Sequence, residues 1–296
     1  MSLKNWGYVV VLSIIWGGSF FLVEVALVDL TPFTIVFLRV SVAALTLIAV
    51  IYLSGRRLPR GRKLWRTYMV MGLLNNVLPF SLIVWGQTQI TGSEASILNA
   101  MTPIFTVLVA HFFTLDERLT LNKGIGVLLG FAGVFVMMQP SMNDGFSPQG
   151  FGQLSILCAA LFYGFAGVWG KQLREIPPLS NAAGMLICSS FIMLPILFIV
   201  EDPFALPFHW ISFGAVVGIA VISTAFAFML YFSVLASAGA TNLLLVTFMV
   251  PVSALILGIG ILGEEVEPMA FLGMGIIFAG LVVIDGRIIR LGRARA

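Results

Sequence analysis

The chain contains 296 residues, of which 59% are hydrophobic and only 10% are charged. Soluble domains carry about 25% charged residues, so this composition excludes an ordinary soluble domain and indicates an integral membrane protein. The formal net charge of +3 is too small to indicate a nucleic-acid partner. The sequence also has no phosphate-binding Walker motif, which argues against direct use of ATP.

Ten apolar stretches follow one another along the chain and are joined by short connections. Each is about 20 residues long, which is the length that a helix needs to cross the hydrocarbon core of a bilayer. An all-α membrane protein with ten transmembrane helices is therefore predicted. The predicted spans are 6–27, 33–53, 66–87, 93–114, 122–139, 150–171, 180–200, 210–236, 241–263 and 269–286.

The basic residues predict how these spans are oriented. Lys and Arg concentrate in cytoplasmic loops, and with ten spans they separate cleanly from the acidic loops. Both chain termini are therefore expected in the cytoplasm, with the protein in a bacterial-type inner membrane. The basic residues on this side are Lys4, Arg56, Arg57, Arg60, Arg62, Lys63, Arg66, Arg118, Lys123, Lys171, Arg174, Arg287, Arg290, Arg293 and Arg295. The opposite loops carry Asp29, Asp144, Glu201, Asp202, Glu264, Glu265 and Glu267.

Two of the spans share an unusual polar interruption. Asn99 precedes Pro103 by four residues, and Thr247 precedes Pro251 by four residues. Because proline has no backbone N–H, the carbonyl four residues earlier loses its helical partner. Such a carbonyl is not tolerated against lipid, so it must face protein or a water-filled cavity. We therefore expect both prolines to be gating hinges beside a central cavity.

The two prolines lie 148 residues apart, and residues after them match at nearly the same spacing, as in Glu117 and Glu265. Such self-similarity indicates an internal repeat, with a first unit over 1–140 and a second over 141–296. Because each unit holds five spans, which is an odd number, the second copy must be inverted in the membrane. Inverted repeats with a binding site at their midplane interface are a transporter architecture.

Small residues are spaced for close helix packing in two of the spans. Gly126 and Gly130 are four residues apart in span five, and Gly275 and Ala279 are four residues apart in span ten. Pairs of this size let two helix backbones approach each other. All four positions are therefore predicted to lie at contacts between helices.

Polar and aromatic residues inside the spans are the candidates for a substrate-binding site. Their amide, hydroxyl and indole groups need partners away from water, which favours a cavity, while interhelical hydrogen bonding and packing are the alternatives. The predicted substrate-binding residues are Trp16, Ser19, Asn75, Asn76, Pro79, Asn99, Tyr163, Trp169, Thr224, Phe228, Tyr231 and Thr247. No pattern in the sequence indicates a catalytic residue, a metal site or a cofactor.

Two charged residues lie inside the first two spans, where a charge is costly. Glu24 and Arg39 are predicted at similar depth on the outer side of the membrane. The favoured interpretation is an ion pair between them that locks the first two helices together. Contact of Arg39 with a substrate carboxylate is the alternative.

Taken in order, these motifs resemble the drug/metabolite transporter superfamily, and specifically its EamA-type ten-helix members. The residues that carry the resemblance are Trp16-Gly17-Gly18-Ser19-Phe20, Pro103, Asp116-Glu117-Arg118, Gly126 to Gly133, Pro251, Gly263-Glu264-Glu265 and Gly273 to Gly280. Within that family the chain looks most like the YddG-type amino-acid exporters. The resemblance implies a carrier of two inverted five-helix repeats around a central cavity, which exports amino acids or similar small metabolites by alternating access.

An intramembrane enzyme or a ligand-binding membrane receptor that uses the same cavity is the alternative from a different class. An enzyme would need a catalytic constellation at mid-membrane depth, and the sequence does not display one. The expected partners are therefore a small-molecule substrate and the lipid bilayer.

Overall fold

The computed structural model describes residues 3–114, 117–143, 147–207, 209–238 and 240–285, and the regular elements in these ranges are helical. Ten helices are long and apolar enough to cross a membrane, which confirms the prediction. They are α1 (Leu3–Leu27), α2 (Pro32–Leu53), α3 (Arg62–Gly86), α4 (Gly92–Phe113), α5 (Leu121–Asn143), α6 (Pro148–Leu173), α7 (Pro178–Val200), α8 (210–238), α9 (240–262) and α10 (Pro268–Asp285).

Some of the residues that predicted the internal repeat and the orientation of the spans lie outside the described ranges. They are Asp116, Asp144, Arg287, Arg290, Arg293 and Arg295. The cytoplasmic placement of both termini stays a prediction.

Several helices begin where the sequence supplies a start signal. Pro32, Pro148, Pro178 and Pro268 are the first residues of α2, α6, α7 and α10, a position where the missing N–H of proline costs no helical bond. The Ser147 hydroxyl also caps α6 by accepting a bond from the Gly150 N–H at 3.2 Å.

The inverted repeat is visible where α5 packs against α10. A Cβ added to Gly126 would lie 2.5 Å from the Gly280 carbonyl oxygen, and one added to Gly133 would lie 2.7 Å from the Gly273 carbonyl oxygen. The two helices are therefore antiparallel, and glycines let their backbones approach closely. Because Gly126 corresponds to Gly273 and Gly133 to Gly280, the contact is self-complementary, as a twofold axis requires.

The remaining packing repeats the same symmetry. α1 lies against α9, and its counterpart α6 lies against α4, while α2 packs on its own counterpart α7. Gly17 lets α1 approach α9 closely, since a Cβ added to it would lie 2.7 Å from the Val250 carbonyl oxygen. Gly164 does the same for α6 and α4, because its added Cβ would lie 3.2 Å from the Phe105 carbonyl oxygen.

The predicted packing of Gly275 and Ala279 is wrong. Both residues are exposed, and nothing lies within 4 Å of a Cβ built on Gly275. The contact face of α10 carries Gly273 and Gly280, and a shift of two residues turns a side chain by about 200° around the helix. These two small residues therefore face the lipid side.

The segments that connect the helices make polar contacts at both ends of the bundle. At one end, Glu201 caps α2 by accepting bonds from the N–H groups of Phe33 at 3.0 Å and Thr34 at 2.9 Å. At the other end, the Lys171 Nζ lies 2.7 Å from a Glu117 carboxylate oxygen. This ion pair braces the connection after α4 against the end of α6.

Candidate substrate-binding site

α4 is interrupted where Pro103 predicts a bend. Its first segment ends at Asn99 and its second begins at Thr102. The Thr102 hydroxyl donates to the Asn99 carbonyl at 2.8 Å, so the carbonyl that the proline frees is satisfied within the same turn. The Asn99 Oδ1 is buried and accepts no bond from the part of the chain that the structure describes. Because buried acceptors are rarely left unpaired, this atom is a candidate contact for a ligand or water.

α9 differs from α4 at the corresponding point. Its helix Ala240–Leu257 runs through Pro251 without a break, and Thr247 is half-buried on it. The Ser253 hydroxyl donates to the Ser13 carbonyl at 2.8 Å, which ties this part of α9 to α1. A π-helical segment, Gly258–Leu262, then ends the span.

Two of the predicted aromatic residues meet across the repeat interface. Trp16 of α1 and Tyr231 of α8 have ring centroids 5.7 Å apart, at an interplanar angle of 39°, and both are half-buried. The Ser19 hydroxyl donates to the Trp16 carbonyl at 2.8 Å. Ser19 therefore uses its proton inside its own helix and presents only acceptor capacity to a ligand.

The two adjacent asparagines lie in a π-helical segment of α3, Leu73–Val77. Asn76 is fully buried, and its Nδ2 donates to the Ser189 hydroxyl of α7 at 3.0 Å. Asn75, which is half-buried, donates to the Asn76 Oδ1 at 3.2 Å. The contact made by Asn76 is the interhelical one that was the alternative to cavity lining.

Pro79 and Trp169 lie on α3 and at the end of α6. Pro79 is buried in the continuation of α3. The Trp169 Nε1 donates to the Thr67 carbonyl at 3.4 Å, which links the end of α6 to the start of α3. Neither residue is in a described contact with Trp16, Asn99 or Thr224.

The expected ion pair between Glu24 and Arg39 is wrong. The Glu24 carboxylate accepts a bond from the Gly92 N–H at the start of α4, where a helix has unpaired N–H groups and a positive dipole end. The Arg39 Nε instead donates to the Thr224 hydroxyl at 3.1 Å. Its guanidinium carbon lies 3.7 Å from the centroid of the Phe80 ring.

Arg39 is a candidate for substrate binding that is absent from the predicted substrate-binding residues. It lies on α2 beside Thr224, which occupies the π-helical segment Ile219–Phe226 of α8. Tyr163 of α6 packs against both large hydrophobic clusters of the bundle. The available signal was the charge itself, because an ionisable residue within a span is a functional-site hypothesis by default.

Two pockets open toward opposite ends of α8. The pocket at the predicted outer end, called the outer pocket, measures about 640 Å³ and is lined by the start of α8 at Trp210 and Ser212 together with acidic Glu24 and Glu264. The pocket at the predicted cytoplasmic end, called the inner pocket, measures about 340 Å³ and is lined by Phe228 of α8 and by residues of α2 and α7. Thr224, with Arg39 bound to it, lies between them along this helix.

Asp29 connects the outer pocket to α8. Its carboxylate accepts a bond from the Ser212 hydroxyl and lies 2.6 Å from the His209 Nδ1. The hydrogen bond from Ser212, followed by that from His209, lowers the pKa of Asp29 below its ordinary value. The carboxylate is therefore held in its charged form.

Comparison with known proteins gives matches over nearly the whole chain. The family model described as the EamA-like transporter family matches residues 5–139 and, a second time, residues 150–285. The "Uncharacterized transporter YoaV" of Bacillus subtilis is 25% identical over 274 residues, which cover 92% of this chain and 94% of that protein. The "Uncharacterized inner membrane transporter YedA" of Escherichia coli K12 is 24% identical over 283 residues, which cover 95% of this chain and 90% of that protein.

A solved crystal structure has the same fold. It superposes with a TM-score of 0.68 at 18% sequence identity and covers 96% of both chains. At that identity the likeness concerns the fold alone. The double match to one family model agrees with the glycine-lined contact between α5 and α10, and the chain belongs to the EamA-like transporter family.

Proposed function

We propose that the protein is a secondary transporter that exports amino acids, aromatic and other neutral ones, or similar small metabolites across the inner membrane by alternating access. The family and its full-length relatives establish a membrane transporter. The substrate class, the direction of transport and the mechanism are the content of the proposal.

The observation that carries the proposal is the pair of pockets along α8. One opens at each end of the bundle, and the layer that contains Arg39, Thr224 and Phe80 lies between them. Alternating access requires a site that can be reached from either side but not from both at once. A closed layer between two opposed pockets meets this requirement.

Three aromatic residues that pack against one hydrophobic cluster of the bundle favour a small amphipathic substrate. Trp16, Tyr163 and Tyr231 offer apolar surface and aromatic faces, which attract an ammonium group by cation–π interaction. Asn99 adds a buried carbonyl oxygen that can accept a hydrogen bond. A zwitterionic amino acid with an apolar side chain combines the groups that these residues can bind.

Transport by purified protein in proteoliposomes tests the proposal. We expect counterflow of labelled phenylalanine or leucine in vesicles that contain the protein, and none in empty vesicles. The assay is run with and without a pH gradient, so that coupling to protons is measured in the same experiment. Absence of flux across an amino-acid panel would contradict the substrate class, and chemical conversion without flux would support the membrane enzyme.

A further inference from the structure

A buried arginine in the membrane interior has no anionic partner among the residues that the structure describes. Arg39 is 7% exposed, and its single hydrogen bond within the described ranges joins Nε to the Thr224 hydroxyl. A guanidinium carries five N–H donors. The four donors on its two Nη atoms therefore have no protein partner in this part of the chain.

The carboxylates on the outer side of α1 and α2 are already engaged. Glu24 accepts from the Gly92 N–H, and Glu201 accepts from the Thr34 N–H. A buried charge without a counter-charge is strongly destabilising, because its lost hydration is not compensated. Within the described ranges, no carboxylate is therefore paired with Arg39.

We propose that Arg39 binds the carboxylate of the transported substrate, so that the carrier selects molecules with one carboxylate group. This inference rests on the proposed transport function and adds the group that the site recognises. Thr224 holds the Nε edge of the guanidinium, and Phe80 covers one of its faces. The Nη edge has no hydrogen-bond partner within the described ranges, and its two parallel N–H bonds match the two oxygens of a carboxylate.

The inner pocket lies along the two helices that carry Arg39 and Thr224. Leu47 lines that pocket two turns beyond Arg39 on α2, and Phe228 lines it one turn beyond Thr224 on α8. Two helical turns measure about 11 Å. The wall of the inner pocket at Leu47 therefore lies about 11 Å along α2 from Arg39, so a substrate in that pocket reaches the guanidinium only when the layer around Arg39 opens.

The neighbours of Arg39 come from both halves of the protein. Phe80 belongs to the first repeat, whereas Thr224 belongs to the second. A carboxylate bound here would contact both repeats. A ligand that favours one arrangement of two bodies shifts their equilibrium by its difference in affinity.

Ligand-induced thermal stabilisation tests the inference without transport. The probes are 4-methylpentanoate and its amide, which have the same shape and differ in charge. We expect the acid, but not the amide, to raise the Tm of the wild type and of Arg66→Gln, a charge-removing control on an exposed residue of α3. The Arg39→Gln variant should lose this shift, and Arg39→Lys should retain part of it. Equal shifts for acid and amide, equal shifts in wild type and Arg39→Gln, or no shift would overturn the inference.

A competition assay measures the same preference during transport. In counterflow of labelled phenylalanine, we expect unlabelled phenylalanine to compete at least about tenfold better than phenylalaninamide in the wild type, as loss of a charge-assisted bidentate contact predicts. In monodisperse Arg39→Gln this ratio should fall toward one, and an unchanged ratio would overturn the inference. If the wild type moves no amino acid, the proposed function fails, and the thermal assay alone decides the role of Arg39.

Discussion

The helices that carry the two repeat-related prolines have different shapes. α4 is broken between Asn99 and Thr102, before Pro103, whereas the helix of α9 continues through Pro251. Sequence similarity between the two halves therefore does not fix the same backbone. The first half has an opened turn near the middle of its span, and the second half has a continuous helix at that position.

Local chemistry explains part of this difference. Thr102 stands directly before Pro103, and its hydroxyl bonds the Asn99 carbonyl across the break. The residue before Pro251 is Val250, which has no hydroxyl to offer. α9 is also held along its length by α1, through the close approach of Gly17 to the Val250 carbonyl. The comparison shows that a proline permits a break in a helix. The residue before the proline and the helix packed against it determine whether the break occurs.

The largest expected effect concerns the interface between α1 and α9 and its counterpart between α6 and α4. In Gly17→Ala the new Cβ would lie 2.7 Å from the Val250 oxygen and 2.9 Å from the Ala254 nitrogen, both backbone atoms. We expect a loss of about 1–3 kcal/mol in stability, typical of overpacking. The matched variant Gly164→Ala meets the Phe105 backbone at 3.1 Å, so it should lose less. Thermal unfolding in detergent measures both, and equal losses would show that the two interfaces are equally tight.

The next effect is on transport. Pro103→Ala restores an N–H donor where α4 is open, so the helix can close and the hinge is lost. We expect the flux to fall at least about tenfold, or about 1.4 kcal/mol in activation free energy, with the protein still folded. Pro251→Ala should reduce flux less, because α9 is already continuous in this state. Wild-type flux in both variants would contradict the hinge role of these prolines.

A smaller effect is expected where α4 is made to resemble α9. Thr102→Val removes the hydroxyl that satisfies the Asn99 carbonyl, which should cost about 1 kcal/mol, the net value of a typical hydrogen bond. Thr106→Val is the control, because its hydroxyl bonds the Thr102 carbonyl at 2.8 Å inside an unbroken helix. We expect a lower Tm for Thr102→Val than for the control. Identical unfolding curves would show that the hydroxyl does not stabilise the break.

The smallest effect concerns the connections at the ends of the two halves. The outer connection of the first half is held by the Asp29 carboxylate, whereas the corresponding connection after α6 is held by the Asn181 amide, which donates to the Leu173 carbonyl at 2.9 Å. Only the first contact can titrate. Because the folded pKa of Asp29 is lowered from 3.8, its stabilisation is present above that pH and is lost as the pH falls through the folded value.

Two variants test this difference, one at Asp29 and one at Asn181. Asp29→Asn should lower the Tm near neutral pH, and its curve should converge with that of the wild type at pH values below 3.8, the ordinary value of the carboxyl. The effect of Asn181→Ala should not depend on pH over the same range. A constant difference between Asp29→Asn and wild type across this range would show that the carboxylate contributes no charged contact.

The sequence predicted the arrangement along the chain more successfully than the arrangement around each helix. Ten spans follow from apolar length, and the break in α4 follows from Pro103 after Asn99. The packing role of Gly126 is confirmed, while that of Gly275 is wrong, because both lie on regular helices and only the partner helix decides which side is covered. The Glu24–Arg39 pair failed for the same reason.

The number of spans, the repeat and the family are properties of residue order, so the sequence by itself determined them. The tertiary structure alone decided that Glu24 binds the start of α4, that Arg39 lies beside Thr224 and Phe80, and that α9 stays unbroken at Pro251. Hydrophobic length sets how deep a residue lies in the bilayer. The rotation of a helix about its axis depends on partners far away in the chain, and this rotation chooses which polar groups meet.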